Sequence, residues 1–355
     1  MSRFLSSRLK NLEPYTPGEQ PQIKNLIKLN TNESPFPPSA KAIQLAADEA
    51  KDLQLYPDPE CRKLTQMLAD KLGVDFDEVL VTNGSDEILN FAFMAFCDEE
   101  REAVFPDITY GFYKVFAQLN GVAYREIPLD ENLEINLDDY KGLKSTVFIA
   151  NPNAPTGIYI GICEIEKLVS ENPDSLFVID EAYVDFGNQS AVPLIKKYDN
   201  ILVTQTFSKS RSMAGARLGF GVGSKKLIQD LNTIKYSTNP YNINKMTMAA
   251  GIGALLDEDY TSGNCKKICE AREYTLENLR EMGFEATDSK ANFIFAKHPK
   301  ISGERIYSGL RERSILVRHF GGARILEYNR ITIGTKEQMD KFLTAVREII
   351  KEEEK

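Results

Sequence analysis

Apolar positions along the chain follow two different periods. From Glu78 onward, short runs rich in β-branched residues recur at Val79–Thr82, Ala103–Phe105, Thr146–Ala150, Leu176–Ile179, Ile201–Thr204 and Leu218–Val222. Between them lie stretches with helical spacing, such as Asp86–Cys97 and Gly111–Leu119. Runs that are apolar at every position, rather than at alternate ones, predict strands covered on both faces. Their alternation with helices predicts an α/β fold with a mostly parallel sheet. Two further helical patterns, Ser39–Leu53 and Cys61–Leu72, precede the first strand, and the stretch before them, with Pro14, Pro17, Pro21 and LNTNESPFPP (29–38), reads as an extended arm.

After Asn244 the pattern changes. A long helical period from Lys245 to Met282, with a break expected near Ser262-Gly263, leads to short strands near Phe293–Ala296, Ile315–Arg318 and Arg330–Ile333, then a final helix from Lys336 to near Lys351. Short strands mixed with helices predict a smaller α+β unit. The expected division is an N-terminal arm over 1–38, a large domain over 39–245 and a small domain over 246–355. A chain of 355 residues accommodates two such units.

Charge and composition narrow the function. Asp and Glu number 52 against 43 Lys and Arg, a net charge of −9, which disfavours a nucleic-acid partner because phosphate-backbone binding needs a basic face. An anionic ligand therefore has to be held by a few placed cations and helix N-termini. The arm is also too short for an appended DNA-binding module. Five cysteines without a CxxC pair support neither a zinc ribbon nor a redox couple; Cys265 and Cys269 read as small apolar residues on one helix face. Two histidines, His298 and His319, cannot build a multi-histidine metal centre, so no metal is expected. The apolar run Phe91–Cys97 is too short to span a bilayer, and MSRFLSSRLKNLEPY lacks the features of a secretory signal, so a soluble cytoplasmic protein is expected.

In an open α/β sheet, ligands sit beyond the carboxyl ends of the strands, so polar residues following the strands are the informative ones. After the first strand come Asn83-Gly84-Ser85-Asp86-Glu87, opening a helix. That arrangement seats a phosphate on free N–H groups, although Ser85 or Asp86 serves equally as a plain N-cap. Next come the rigid turn NPNAPTG (151–157) and then Asp180-Glu181-Ala182-Tyr183, where an acid ending an apolar strand requires a cationic or N–H partner. Finally Ser208-Lys209-Ser210 precedes Arg217 by eight residues. A lysine among hydroxyls and near an arginine is a candidate nucleophilic amine, since burial and nearby cations lower its pKa.

GSDE (84–87), PNAPTG (152–157), DEAY (180–183) and SKSRSMAGARLGF (208–220), in that order, resemble the fold-type-I pyridoxal-phosphate aminotransferases over essentially the whole chain. Within that superfamily the chain is most similar to the histidinol-phosphate aminotransferases, through Leu12-Glu-Pro-Tyr15, LNTNESPF (29–36), Tyr56-Pro-Asp, PDITYGFY (106–113), ILVRHF (315–320) and NRITIGT (329–335). The resemblance implies pyridoxal 5'-phosphate as cofactor and a homodimer with shared active sites. It assigns Lys209 the covalent link to the cofactor, Asp180 the pyridine nitrogen and Tyr183 the phenolic oxygen. Ser85, Asp86, Ser208 and Arg217 would surround the phosphate, which Tyr56 would reach from the other subunit, and Tyr110 would stack on the ring. Arg330, with Tyr15 and Arg318, would receive the anionic end of the substrate.

One position departs from the family. Where the family has Asn immediately before Pro-Thr-Gly, bonded to the phenolic oxygen, this chain has Ala154, with Asn153 one residue earlier. The expectation is that Asn153 takes over through a shifted turn; otherwise the cofactor relies on Tyr183. The implied chemistry needs a carboxylate that keeps the pyridine nitrogen protonated and a lysine that moves a proton at the substrate carbon. The reaction implied is transfer of an amino group from a small phosphorylated amine, L-histidinol phosphate, to the keto acid 2-oxoglutarate. Threonine-phosphate decarboxylation and aromatic-amino-acid transamination are the rivals on the same scaffold.

Overall fold

The computed structural model describes residues 2–21 and 24–354. In chain order its elements are β1 (Ile27–Lys28), α1 (Ala40–Glu49), α2 (Arg62–Leu72), β2 (Val79–Thr82), α3 (Ser85–Phe96), β3 (Ala103–Pro106), α4 (Phe112–Asn120) and β4 (Tyr124–Ile127). There follow β5 (Thr146–Ala150), α5 (Ile162–Glu171), β6 (Leu176–Asp180), β7 (Ile201–Thr206), β8 (Gly219–Gly223), α6 (Lys225–Thr238), α7 (Lys245–Leu255) and α8 (Glu258–Glu281). The chain ends with β9 (Glu285–Ala286), β10 (Phe293–Lys297), α9 (Gly303–Glu312), β11 (Ile315–Leu316), β12 (Arg318–His319), β13 (Asn329–Thr332) and α10 (Lys336–Glu353).

Seven strands form the large sheet in the order β2-β8-β7-β6-β5-β3-β4. Neighbours run parallel except around β8, which is antiparallel to both β2 and β7. The fully apolar strands are explained by their two faces. Alternate residues Val147, Ile149, Phe177, Ile179, Ile201 and Val203 pack in one buried cluster with Leu64 and Leu68 of α2 and Ile165 of α5. The intervening Phe148, Ala150, Leu176, Val178 and Leu202 pack in another with Ile88 and Phe93 of α3 and Leu231 of α6. Each strand therefore separates two layers of helix and has no polar face to present. β8 tolerates three glycines because α3 presses against it: a Cβ on Gly221 would meet Ile88 Cδ1 at 1.9 Å, and one on Gly219 would meet the Ser85 backbone nitrogen at 2.4 Å.

A second layer, β12-β13-β10-β9, is antiparallel throughout. Its core joins Phe293 and Ile294 to Leu276, Leu310, Phe342 and Val346 from α8, α9 and α10. The arm is tied to this layer through β1, which pairs in parallel with β11, Ile27 opposite Ile315 and Lys28 opposite Leu316.

One expectation changes. The long helix breaks at Leu256-Asp257, between α7 and α8, and Ser262-Gly263 lies inside α8 without interrupting it. The acids Asp257, Glu258 and Asp259 favour a helix start there, and a glycine within a helix costs only about 1 kcal/mol. Ala250 and Ala254 of α7 also lie in the same buried cluster as the large sheet. A boundary between residues 245 and 246 would cut this helix from its own core, so we propose that the large unit extends through α7 and that the change of layer falls between α7 and α8.

Candidate active site

A cavity of about 760 Å³ opens beyond the carboxyl ends of the central strands, between the two layers. The large layer contributes Tyr110, Tyr183 and Lys209 to its wall, the small layer Arg318 and Arg330, and the arm Tyr15.

Lys209 follows β7 on a loop, its Nζ donating to the Thr31 carbonyl at 3.2 Å and lying 5.9 Å from the centre of the Tyr183 ring. Burial lowers its pKa to about 8, and the neighbouring Arg330 and Arg217 push the same way, against Asp86 and Glu33. A neutral, nucleophilic amine is thereby accessible near neutral pH. Asp180, the last residue of β6, is buried and accepts from Tyr113 Oη at 3.0 Å and from Thr204 Oγ1 at 3.3 Å. Burial raises its pKa to about 6, with these two hydroxyls opposing the rise. Neutral donors alone hold this carboxyl, which leaves it poised for a nitrogen that carries a proton.

At the start of α3, Asp86 accepts from Tyr110 Oη at 2.7 Å and from Arg217 Nη2 at 2.8 Å. Gly84, at φ 75°, precedes Ser85, and a Cβ there would meet Arg217 Nη2 at 2.6 Å. The helix N-terminus and the guanidinium thus form a cradle kept open by the missing side chain, suited to a phosphate. Ser208 immediately precedes Lys209, its hydroxyl accepting from Thr206 Oγ1 at 2.9 Å.

Across the cavity, Arg330 on β13 makes one hydrogen bond among the described residues, from Nη2 to the Asn30 carbonyl at 3.0 Å, and its Nε is buried without a partner. Phe293 and Phe320 stack near the guanidinium, at 5.4 and 5.7 Å from the two ring centres. Arg318 is more committed, donating to the Thr16 and Pro17 carbonyls at 3.2 and 3.4 Å. Tyr15 stacks on Phe112 with ring centres 4.3 Å apart.

Of the expected residues, Ser85, Asp86, Asp180, Ser208 and Arg217 do not themselves line the cavity, Asp86 being joined to it through Tyr110, and two others are engaged elsewhere. Tyr56 is 80 % exposed and stacks on Tyr241, with ring centres 4.6 Å apart. Asn153 is buried in its turn, and its side chain is used up there: Nδ2 donates to the Ile108 carbonyl at 3.0 Å and to Thr156 Oγ1 at 3.1 Å, while Oδ1 accepts from Thr109 Oγ1 at 2.7 Å. The shifted turn expected from the sequence does not occur, because this amide is what closes the turn. Ala154, which does line the cavity, offers only a methyl group. Sequence reading also passed over Tyr113, which carries Asp180, and Asn32, whose Nδ2 donates to Tyr183 Oη at 2.9 Å. The signal for Asn32 lay in the LNTNESPF segment, whereas Tyr113, in PDITYGFY, reads as an ordinary core aromatic.

The residues present fit pyridoxal phosphate: a buried carboxyl held only by neutral donors for the ring nitrogen, a phosphate cradle and a lysine of lowered pKa. The family model "Aminotransferase class I and II" matches residues 24–346. The histidinol-phosphate aminotransferase of Brachyspira hyodysenteriae is 48% identical over 353 residues, 99% of this chain and 100% of that protein. Among solved structures, the histidinol-phosphate aminotransferase from Clostridium acetobutylicum superposes with a TM-score of 0.83 at 27% identity, covering 92% of this chain and 100% of that one. The histidinol-phosphate aminotransferase from Sinorhizobium meliloti, solved in complex with pyridoxal-5'-phosphate, gives a TM-score of 0.84 at 24% identity, covering 92% and 91%. Likeness on this scale, spanning both layers and the cleft between them, means that the chain belongs to the class I and II aminotransferases.

Proposed function

We propose that the protein transfers the amino group of L-histidinol phosphate to 2-oxoglutarate, giving imidazole-acetol phosphate and L-glutamate, in the synthesis of histidine. What carries this reading is the full-length likeness to histidinol-phosphate aminotransferases, joined to a cleft in which the Arg330 guanidinium keeps free donors for an anion. Bound pyridoxal phosphate supplies a carbonyl for the amino group and a ring that delocalises the charge left at the substrate carbon. The chain supplies the rest. Lys209 accepts and returns a proton at Nζ, Asp180 holds a proton on the ring nitrogen, and Tyr183 donates to the phenolic oxygen. Ser85, Ser208 and Arg217 hold the phosphate, Asp86 orients Arg217, and Tyr110 covers the ring.

Arg330 serves two unlike substrates, since a guanidinium forms paired hydrogen bonds with a phosphate as well as with a carboxylate. Tyr15 and Arg318 complete that end of the cleft. The exposure of Tyr56 fits a homodimer in which it reaches the phosphate of the other subunit, and a biosynthetic role fits the cytoplasm. The test is glutamate formation from 2-oxoglutarate with histidinol phosphate, phenylalanine or tyrosine as donor, alongside carbon dioxide release from threonine phosphate. The highest kcat/KM is expected with histidinol phosphate. Dominant carbon dioxide release, or a preference for the aromatic amino acids, overturns the assignment.

A further inference from the structure

Asn32 sits at φ 56°, in the left-handed region, on the segment that leaves β1. Three contacts hold it there. Its N–H donates to Thr332 Oγ1 at 2.9 Å, its carbonyl accepts from Asn292 Nδ2 at 3.0 Å, and its side-chain Oδ1 accepts from Thr332 Oγ1 at 3.0 Å. The threonine hydroxyl has one proton. Among the described residues its only acceptor is Oδ1, and a flipped amide would leave that buried proton without a partner, which sets the orientation of the amide. Nδ2 is therefore the atom facing Tyr183 Oη, at 2.9 Å, and it is a donor.

This decides what the phenol can do. Tyr183 is buried and accepts from Asn32, so its own proton has to go to a different atom, and no acceptor among the described residues takes it. Tyr183 and Ala154 both line the cavity, and Ala154 has no polar atom to share the task. We propose that Thr332 and Asn32 are positioning residues that lock the Tyr183 hydroxyl as a donor into the cleft, and that this relay stands in for the hydrogen bond that Ala154 cannot make. The inference rests on the reading of Tyr183 as the partner of the cofactor's phenolic oxygen.

Asn32→Asp is the informative substitution. The new side chain has the same shape and suits the left-handed backbone, but a carboxylate only accepts, so the Tyr183 proton turns away from the cleft. The readouts are the dissociation constant for pyridoxal phosphate and the pH at which the visible absorbance of the bound cofactor titrates. A donor to the phenolic oxygen stabilises its anionic form, so losing that donor moves the titration upward. A hydrogen bond to a charged group corresponds to an upward shift of about one to two pH units and to roughly tenfold or greater loss of affinity.

The added negative charge also raises the titration, so the same substitution is made in a Tyr183→Phe background, where only the charge acts. The shift is expected to be larger by about one unit when Tyr183 is present. Equal shifts in the two backgrounds overturn the relay and leave Asn32 as a loop anchor. If Tyr183→Phe alone moves neither readout, the reading of Tyr183 fails instead, and the relay with it. Thr332→Val, neutral and of the same volume, frees the amide to rotate and is expected to move both readouts in the same direction by a smaller amount. Should the Asn32→Asp protein fail to fold, an unchanged titration and affinity in Thr332→Val overturns the proposal.

Discussion

Replacing Arg330 tests whether one cation handles both substrates. The guanidinium lies on β13 between Phe293 and Phe320, with Nη2 spent on the Asn30 carbonyl and Nε buried without a partner. Burial lowers its pKa, with the nearby Arg318 adding to the effect, so the site carries an electrostatic cost that an incoming anion relieves. Removing one side of a buried charge-assisted pair costs about 2–5 kcal/mol, roughly 30-fold to several-thousand-fold in kcat/KM. Arg330→Ala is expected to impair both half-reactions by that order, and Arg330→Lys to recover part of the loss by restoring charge without the paired geometry. Single-turnover absorbance measurements follow each half-reaction separately, first with histidinol phosphate and then with 2-oxoglutarate. The resting enzyme should keep the visible band of the bound cofactor, since Arg330 bonds to none of the residues assigned to it, while the pH at which that band titrates moves upward because the Arg330 charge acts on Lys209 and Tyr183. Normal turnover of histidinol phosphate with loss of 2-oxoglutarate alone would refute the shared site and move the phosphate to Arg318 and Tyr15.

Three further outcomes are expected. Covalent capture of an added aldehyde by Lys209 in the cofactor-free protein should rise about tenfold per pH unit below pH 8 and level off above it, following the neutral amine at a pKa of about 8; a rise continuing toward pH 10 would show an unshifted lysine. Lys209→Ala should abolish turnover, and mixing it with an equally inactive Tyr56→Ala parent should regenerate activity in hybrid dimers, whereas proven subunit exchange without activity counts against a shared site. Gly84→Ala forces a side chain onto Arg217 at a φ of 75°, so cofactor affinity measured by equilibrium dialysis should fall at least tenfold, with about 1–3 kcal/mol lost from stability in denaturant titration; unchanged affinity would remove the α3 terminus from the phosphate site.

What could be read from the sequence was whatever depends on local order. Strands buried on both faces announce themselves as unbroken apolar runs, and the observed β2 and β5 coincide with their expected bounds. The residues that follow these strands fall at the cleft because parallel strands deliver their carboxyl ends to one edge. Contacts between distant segments left no comparable trace. Asn32 and Thr332 are 300 residues apart, and although each lies in a segment that the resemblance singles out, LNTNESPF and NRITIGT, nothing in either says that the two side chains meet. Tyr113 sits at helical spacing in YGFYKVF (110–116), where only Tyr110 is singled out by the resemblance and the other aromatics read as core, yet its hydroxyl reaches Asp180. Asn153 misled for a geometric reason: adjacent residues in a tight turn point in different directions, so being next to Ala154 in sequence did not place its amide in the cavity.

The net charge of −9 poses a problem that the arm resolves. A protein with no general attraction for anions must keep a few cations uncompensated at the cleft, yet a buried cation with unsatisfied donors is costly. Pairing each with a carboxylate would satisfy the donors and cancel the charge. Instead, Lys209 donates to the Thr31 carbonyl, Arg330 to that of Asn30, and Arg318 to those of Thr16 and Pro17. All four acceptors belong to the segment N-terminal to α1, where residues 16, 17, 30 and 31 lie outside helix and strand. Backbone there spends none of these carbonyls on a ladder and can turn them toward side chains. Carbonyl dipoles hold the cations in place while leaving their charge available to a ligand. The prolines and asparagines of the arm, which from sequence alone mark only an absence of regular structure, are what leave those carbonyls free. Arg324 and Arg217 do pair with carboxylates, Asp107 at 2.9 Å and Asp86 at 2.8 Å, and on the proposed reading the second pair orients a guanidinium toward a phosphate at a helix N-terminus, whose two charges one carboxylate does not offset.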